Sequence, residues 1–211
     1  MLLDPGTLPG FVLISAVVVL TPGVDTFLLL RTSMRFGTRP GMYTLAGIHT
    51  ASLIQVALVV SGLGALVTSR PEVLSVMKWV GAAYLIYLAG TILRGLWRSR
   101  SGAPEAVLGS DPGTPDANPY LRGLFSNITN PKMLLFSLAF LPQFVGEATS
   151  PALQLTMLGV VFLALAAVWE LAIVLTASRV SARLRKPSIR NSLDLVSAVA
   201  FLGISVGLVA G

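Results

Sequence analysis

The 211-residue chain has no cysteine. Disulfides, thiolate metal sites and thiol nucleophiles are therefore excluded. It has one histidine, His49, so a paired-histidine zinc motif is impossible. There is no G-x-S-x-G elbow and no phosphate-binding loop with its lysine. No catalytic constellation, cofactor motif or metal-ligand cluster is visible, and neither an enzyme nor an ATP-driven machine is expected. Charge is also scarce. Only 11% of residues are charged, against about 25% in a soluble domain. A chain this small cannot coat a soluble surface with so few charges, which excludes a soluble enzyme and a disordered segment.

What is present is apolar sequence. Hydrophobic residues make up 54%, and the mean hydropathy is +0.81. A membrane-spanning helix needs about 20 predominantly apolar residues. Six stretches qualify: Leu8–Leu30, Leu45–Val67, Val73–Leu93, Gly123–Val145, Ala152–Ser178 and Ser192–Gly211. The first carries Asp4 upstream instead of a basic residue, and no small-residue cleavage site follows, so it reads as a retained span and not a signal peptide.

The net charge of +6 would suggest nucleic acid in a soluble protein. Here the basic residues report topology, and no nucleic-acid partner is expected. Twelve of the fifteen lie in or beside three alternate connections: Arg31, Arg35 and Arg39; Arg94, Arg98, Arg100 and Arg122; Arg179, Arg183, Arg185, Lys186 and Arg190. Cytoplasmic loops carry such an excess, so both termini are expected outside, in contact with a lipid bilayer throughout. The stretch 98–120 is rich in Pro and Gly and reads as a cytoplasmic linker. It separates residues 1–97 from 121–211, three spans each. Three is odd, so the second half must be inverted relative to the first. The expected fold class is an all-α integral membrane protein with six spans in two inverted three-helix repeats.

The first span of each half is interrupted. The first interruption is Thr21-Pro22-Gly23-Val24-Asp25-Thr26, the second Asn127-Ile128-Thr129-Asn130-Pro131-Lys132. Proline removes a backbone donor and disrupts the preceding turn. Such breaks are tolerated at membrane depth where protein or a wet cavity covers them, and paired breaks point to a transport site. Thr21, Pro22, Gly23, Asp25, Asn130, Pro131 and Lys132 are therefore candidate substrate-binding residues. The bland alternative is a pair of ordinary proline kinks.

Charges at membrane depth cost about 2.5–3.5 kcal/mol each on insertion scales and default to function. At about 1.5 Å per residue, Asp25 lies about 9 Å in from Arg31, and Lys132 about 15 Å in from Arg122. His49 lies about 12 Å in from Gly41, and Glu170 about 14 Å in from Arg179. Asp25 with Lys132 and Glu170 with His49 are the expected ion pairs. Asp25, Glu170 and His49 are the candidates for proton coupling. A structural salt bridge and a merely packed histidine are the competing readings. Asp194 is expected at a helix N-terminus, and Gln55 and Gln143 as candidate path-lining residues. Gly203, Gly207 and Gly211 form a small-residue ridge, either a homodimer seam or internal packing. Trp79 fits an outer aromatic belt.

The first interruption, the run Gly81-Ala82-Ala83-Tyr84-Leu85-Ile86-Tyr87-Leu88-Ala89-Gly90, and Asn130-Pro131-Lys132 leading to Phe140-Leu141-Pro142-Gln143-Phe144 resemble the LysE/RhtB family. The likeness covers essentially the whole chain, in order. Val24 stands where the family pattern usually has a second proline. The resemblance implies export of a small amino acid or close derivative across the bacterial inner membrane, as a secondary transporter coupled to the proton motive force. An ion or metal exporter and a non-transporting scaffold are the alternatives; the lack of cysteine argues against soft metals.

Overall fold

The computed structural model describes residues 6–69, 71–100, 118–145, 150–177 and 187–210. Eight α-helices and no strand occur among them: α1 Leu8–Leu20, α2 Val24–Phe36, α3 Thr38–Ser69, α4 Pro71–Arg100, α5 Pro119–Ile128, α6 Pro131–Leu135, α7 Pro151–Leu175 and α8 Pro187–Ala210. A π-helical turn, Phe136–Phe140, and a 3-10 turn, Leu141–Phe144, follow α6. Most of the linker, residues 101–117, lies outside the described residues, as do Arg179–Lys186 and Gly211.

Local chemistry sets the boundaries. Five helices open on a proline, which loses nothing there because the first helical N–H has no partner in any case. Asn118 caps α5 through Tyr120 N, Asn130 caps α6 through Lys132 N, and Ser150 caps α7 through Leu153 N. Gly37 ends α2 with φ of 93°, a region that favours glycine. The chain therefore turns straight into α3, and Arg31 and Arg35 lie on a helix, not in a loop.

Three described helices, α3, α4 and α7, contain runs long and apolar enough to cross a membrane. The pair α1 and α2 makes a fourth if counted as one span, bent by 50° at its break. Lys132–Phe144 and Asp194–Gly203 are shorter apolar helical segments. Surface chemistry agrees with a lipid environment. Leu13, Leu58, Trp79, Trp97, Val168 and Val206 are exposed, while Ser15, Thr44, Ser52, Gln55 and Asn127 are buried. The protein is an all-helical membrane protein.

The breaks lie between two apolar clusters. Phe11 and Val18 of α1 join Leu85, Phe136, Phe162 and Phe201 in one. Leu29 and Leu30 of α2 join Leu45, Ile48, Ile173 and Val174 in the other. Helix α3 packs on α5, α7 and α2, and α4 packs on α8. Asp194 is eight residues inside α8, which starts at Pro187. The helix-dipole role expected for it fails, because that effect fades beyond the first turn.

The α3–α5 crossing is a backbone-to-backbone contact. A Cβ on Gly47 would collide with Tyr120 O, and a Cβ on Gly123 with Thr44 O. Gly203 instead has open space around it. Gly47→Ala and Gly123→Ala should each cost about 1–3 kcal/mol or more, the usual range for overpacking. Gly203→Ala should be tolerated. Thermal unfolding in detergent compares the three; equal behaviour would mean that the α3–α5 crossing is not tight.

Candidate functional site

An α-helical carbonyl accepts from the N–H four residues on. Pro22 has no N–H, so Val18 O loses its partner. Pro131 does the same to Asn127 O. Lys132 Nζ donates to Val18 O at 2.9 Å and to Thr21 O at 3.0 Å. Gln55 Nε2 donates to Asn127 O at 3.2 Å, and Asn130 N also reaches it at 2.9 Å. Each proline thus opens a carbonyl that a distant side chain closes.

The carboxylate of Asp25 closes the circuit in the other direction. It accepts from Asn130 Nδ2 at 2.9 Å, Asn127 Nδ2 at 3.1 Å and Ser126 Oγ at 3.2 Å. Two of the donors belong to the second break, and Ser126 lies on α5 immediately before it. Asp25 is also in the first turn of α2, where a negative charge is stabilised by the helix dipole. Ser52 Oγ donates to Asn127 Oδ1 at 3.2 Å and fixes that amide. Thr21 Oγ1 is hydrogen-bonded to Val17 O at 2.6 Å and to Ser197 Oγ at 2.8 Å, tying the first break to α8.

The expected direct ion pair of Asp25 with Lys132 is absent. No nitrogen–oxygen contact between them falls within 4.0 Å. The physical reason is that better partners exist for both: amide donors for the carboxylate, orphaned carbonyls for the ammonium. The other expected pair is present. His49 Nε2 lies 3.0 Å from Glu170 Oε2, both side chains partly buried. Neither atom has an aligned hydrogen-bond partner, and the contact is an ion pair only when both ring nitrogens of His49 carry a proton.

Thr21, Gly23, Asp25, Asn130, Lys132 and Glu170 line one cavity with Val18, Phe162 and Ala166. His49 stands behind Glu170, outside that lining. Pro22 and Pro131 shape the backbone at the two breaks. Gly23 is extended, with φ of −139°, and a Cβ there would make only ordinary contact with Lys132; its conformation does not demand glycine. Space for the centres of water molecules amounts to about 30 Å³, room for about two waters. Lys132 uses two of its three N–H donors on carbonyls. Asp25 is already held by three donors. Among the described residues, none donates an aligned hydrogen bond to Glu170. The arrangement therefore offers an ammonium donor and a carboxylate acceptor in one small chamber. Gln55 buttresses the second break and does not line the cavity. Gln55 was expected only as a path-lining residue, and Ser52, Ser126, Asn127 and Ser197 were not among the expected site residues. The proline-minus-four rule does point to Val18 O and Asn127 O as acceptors in need of donors.

A family model, LysE type translocator, matches residues 16–211. The chain belongs to the LysE type translocator family. The homoserine/homoserine lactone efflux protein of Salmonella typhimurium is 28% identical over 92% of this chain and 91% of its own length. The leucine efflux protein of Klebsiella pneumoniae is 30% identical over 61% of this chain and 58% of its own length. Membrane protein YrhP of Bacillus subtilis is 24% identical over 95% of this chain and 97% of its own. No solved structure matches. In this LysE type translocator two of the motifs that carried the resemblance, those at the helix breaks, meet at the cavity.

Asp25→Ala and Lys132→Met remove separate sets of hydrogen bonds. Bonds to charged groups contribute about 1.5–3 kcal/mol each, so each variant should lose at least that much stability. Both residues bond Asn130 and line one chamber, so the loss in the double variant should be smaller than the sum of the single losses yet still clear, because neither set of hydrogen bonds is restored. Unfolding of both single variants and the double variant measures this. A double variant as stable as the parent protein would show that the two charges compensate each other directly.

Proposed function

We propose that the translocator exports a small amino acid or close derivative across the bacterial inner membrane as a proton-coupled secondary transporter. The observation that carries this reading is the chamber where two broken helices meet, holding an ammonium with a spare donor and a carboxylate with a spare oxygen. Lys132 binds the substrate carboxylate, and Glu170 binds its ammonium. Thr21, Gly23 and Asn130 complete the walls. Asp25 holds the second break in place. The leucine and homoserine efflux relatives support an amino-acid substrate.

In this reading the chain has six spans, formed by an inverted repeat of residues 1–97 and 121–211 around the linker 98–120. Packing supports it. An inverted pair of three-helix units related by a two-fold axis brings the second helix of one unit against that of the other, and likewise the third. Helix α3 does pack on α7, and α4 on α8. Both termini face outward, with the basic connections in the cytoplasm. Ser110→Cys should be labelled by an impermeant thiol reagent only in inverted vesicles; labelling of intact cells contradicts the orientation. The open space at Gly203 supports a homodimer through the ridge Gly203, Gly207 and Gly211. Gly203→Leu should shift that dimer toward monomer in detergent, and an unchanged oligomer argues against the seam.

The Glu170–His49 pair carries the coupling proton. A histidine in contact with a carboxylate can pass a proton without placing a lone charge in the apolar layer. Purified protein in proteoliposomes should export labelled amino acid faster when a pH gradient is imposed. Lys132→Met should abolish transport. Glu170→Gln should weaken substrate binding and abolish the response of the residual transport to the gradient, and a response equal to that of the parent protein would remove Glu170 from coupling.

A further inference from the structure

A second, apolar cavity adjoins the polar chamber. It shares Val18 and Lys132 with it. Its remaining wall includes Tyr84, Leu85, Leu88, Phe136, Phe140 and Phe201. No carboxylate, amide or small hydroxyl lines it, and the Tyr84 hydroxyl is buried without a partner. Among the described residues, the only charge at its edge is the Lys132 ammonium.

We infer that this cavity is the side-chain pocket of the transport site, and that it selects α-amino acids with a medium-sized aliphatic side chain, of the leucine class. The inference rests on the export reading above. Geometry sets the order of groups. A substrate whose carboxylate meets Lys132 has its α-carbon at the junction of the two cavities. Its ammonium then points into the polar chamber toward Glu170, and its side chain enters the apolar one. A cationic side chain would meet the Lys132 ammonium at the entrance and find beyond it no carboxylate, only the neutral Tyr84 hydroxyl. A hydroxylated side chain would find the Tyr84 hydroxyl as one partner in an otherwise apolar wall, and any other polar group it carried would be left unpaired there, which is costly. An aliphatic chain gains at each methylene.

The pocket offers about 20 Å³ to the centres of water molecules, less than a leucine side chain fills. Its wall must open to admit one. Phe136 and Phe140 sit on the π-helical turn, directly before the 3-10 turn. This is the least regular backbone around the cavity, and π-helical turns recur at functional sites. The two rings are stacked at 4.8 Å between centroids, so one backbone adjustment moves both.

The test is efflux of labelled leucine, alanine, phenylalanine, homoserine and lysine from proteoliposomes. The parent protein should favour leucine over lysine and homoserine by at least about tenfold, the discrimination that one or two methylenes provide in an apolar pocket. Gly81→Val, which adds bulk to the wall, should cut leucine efflux more than alanine efflux. Leu88→Phe does the same from another wall, should Gly81→Val fail to fold. Phe201→Ala should improve phenylalanine relative to leucine. Lysine or homoserine moving as fast as leucine overturns the inference. So does an unchanged leucine-to-alanine ratio in folded variants, which would assign the cavity to packing or to a lipid chain. If amino acids move without preference, only this inference falls. If none moves, the export reading falls and takes the inference with it.

Discussion

Two missing N–H groups organise this protein. Pro22 and Pro131 leave Val18 O and Asn127 O without helical partners, in surroundings where water is scarce. An unpaired polar group moved to a medium that cannot hydrogen-bond costs about 4–8 kcal/mol. Val18 O must therefore be served by a side chain from elsewhere, while Asn127 O keeps the Asn130 N–H and adds a side-chain donor. The donor for the first break, Lys132, comes from beside the second. The donor for the second, Gln55, comes from α3. Asp25 then binds the second break back to the first. The breaks are mutually capped, and the two halves of the chain are locked in register by the need to satisfy them.

The tight α3–α5 crossing follows from the same need. Gln55 and Ser52 reach Asn127 only if α3 lies almost in backbone contact with α5. Gly47 stands eight residues before Gln55, about two helical turns, and so on nearly the same face. Thr44, Ile48 and Ala51 are buried along that stripe. Glycine at 47 and 123 lets the backbones close, and the closure carries the amide of Gln55 to its carbonyl. Interfaces of this kind depend on small residues because lipid provides no hydrophobic drive for helix association.

The helix breaks were legible from Pro22, Pro131 and the polar residues around them, because proline's effect is local and carries a fixed offset of four residues. The all-helical membrane class was legible from apolar runs for a similar reason. The partners of the charges were not. Opposite signs at similar depth suggested a direct Asp25–Lys132 bond, but that argument counted only charges. A buried charge competes for every donor and acceptor within reach, and the amides of Asn127 and Asn130 and the orphaned carbonyls of Val18 and Thr21 outcompeted the opposite charge. Glu170 and His49 lacked such rivals, and there the simple pairing by charge held. Asp194 was misread because the start of α8 at Pro187 precedes the apolar run by several residues, and hydropathy registers the lipid-facing part of a helix, not its first turn.

Mutual capping also ties ligand binding to helix geometry through a single atom. Lys132 Nζ holds both carbonyls of the first break and still has one N–H left. In the proposed cycle a substrate carboxylate takes that third position. As it draws the ammonium toward itself, the bonds to Val18 O and Thr21 O lengthen, and the first break loses the brace that sets its bend. Substrate binding and the relative angle of α1 and α2 are then two readings of one equilibrium, since a ligand shifts a conformation only by as much as it binds one form better than the other. A chamber with room for about two waters must open before an amino acid enters, and its braces run through the same group that, in the proposed cycle, binds the substrate carboxylate. A rigid scaffold could have used any donor to satisfy Val18 O. A lysine with a donor to spare satisfies it reversibly.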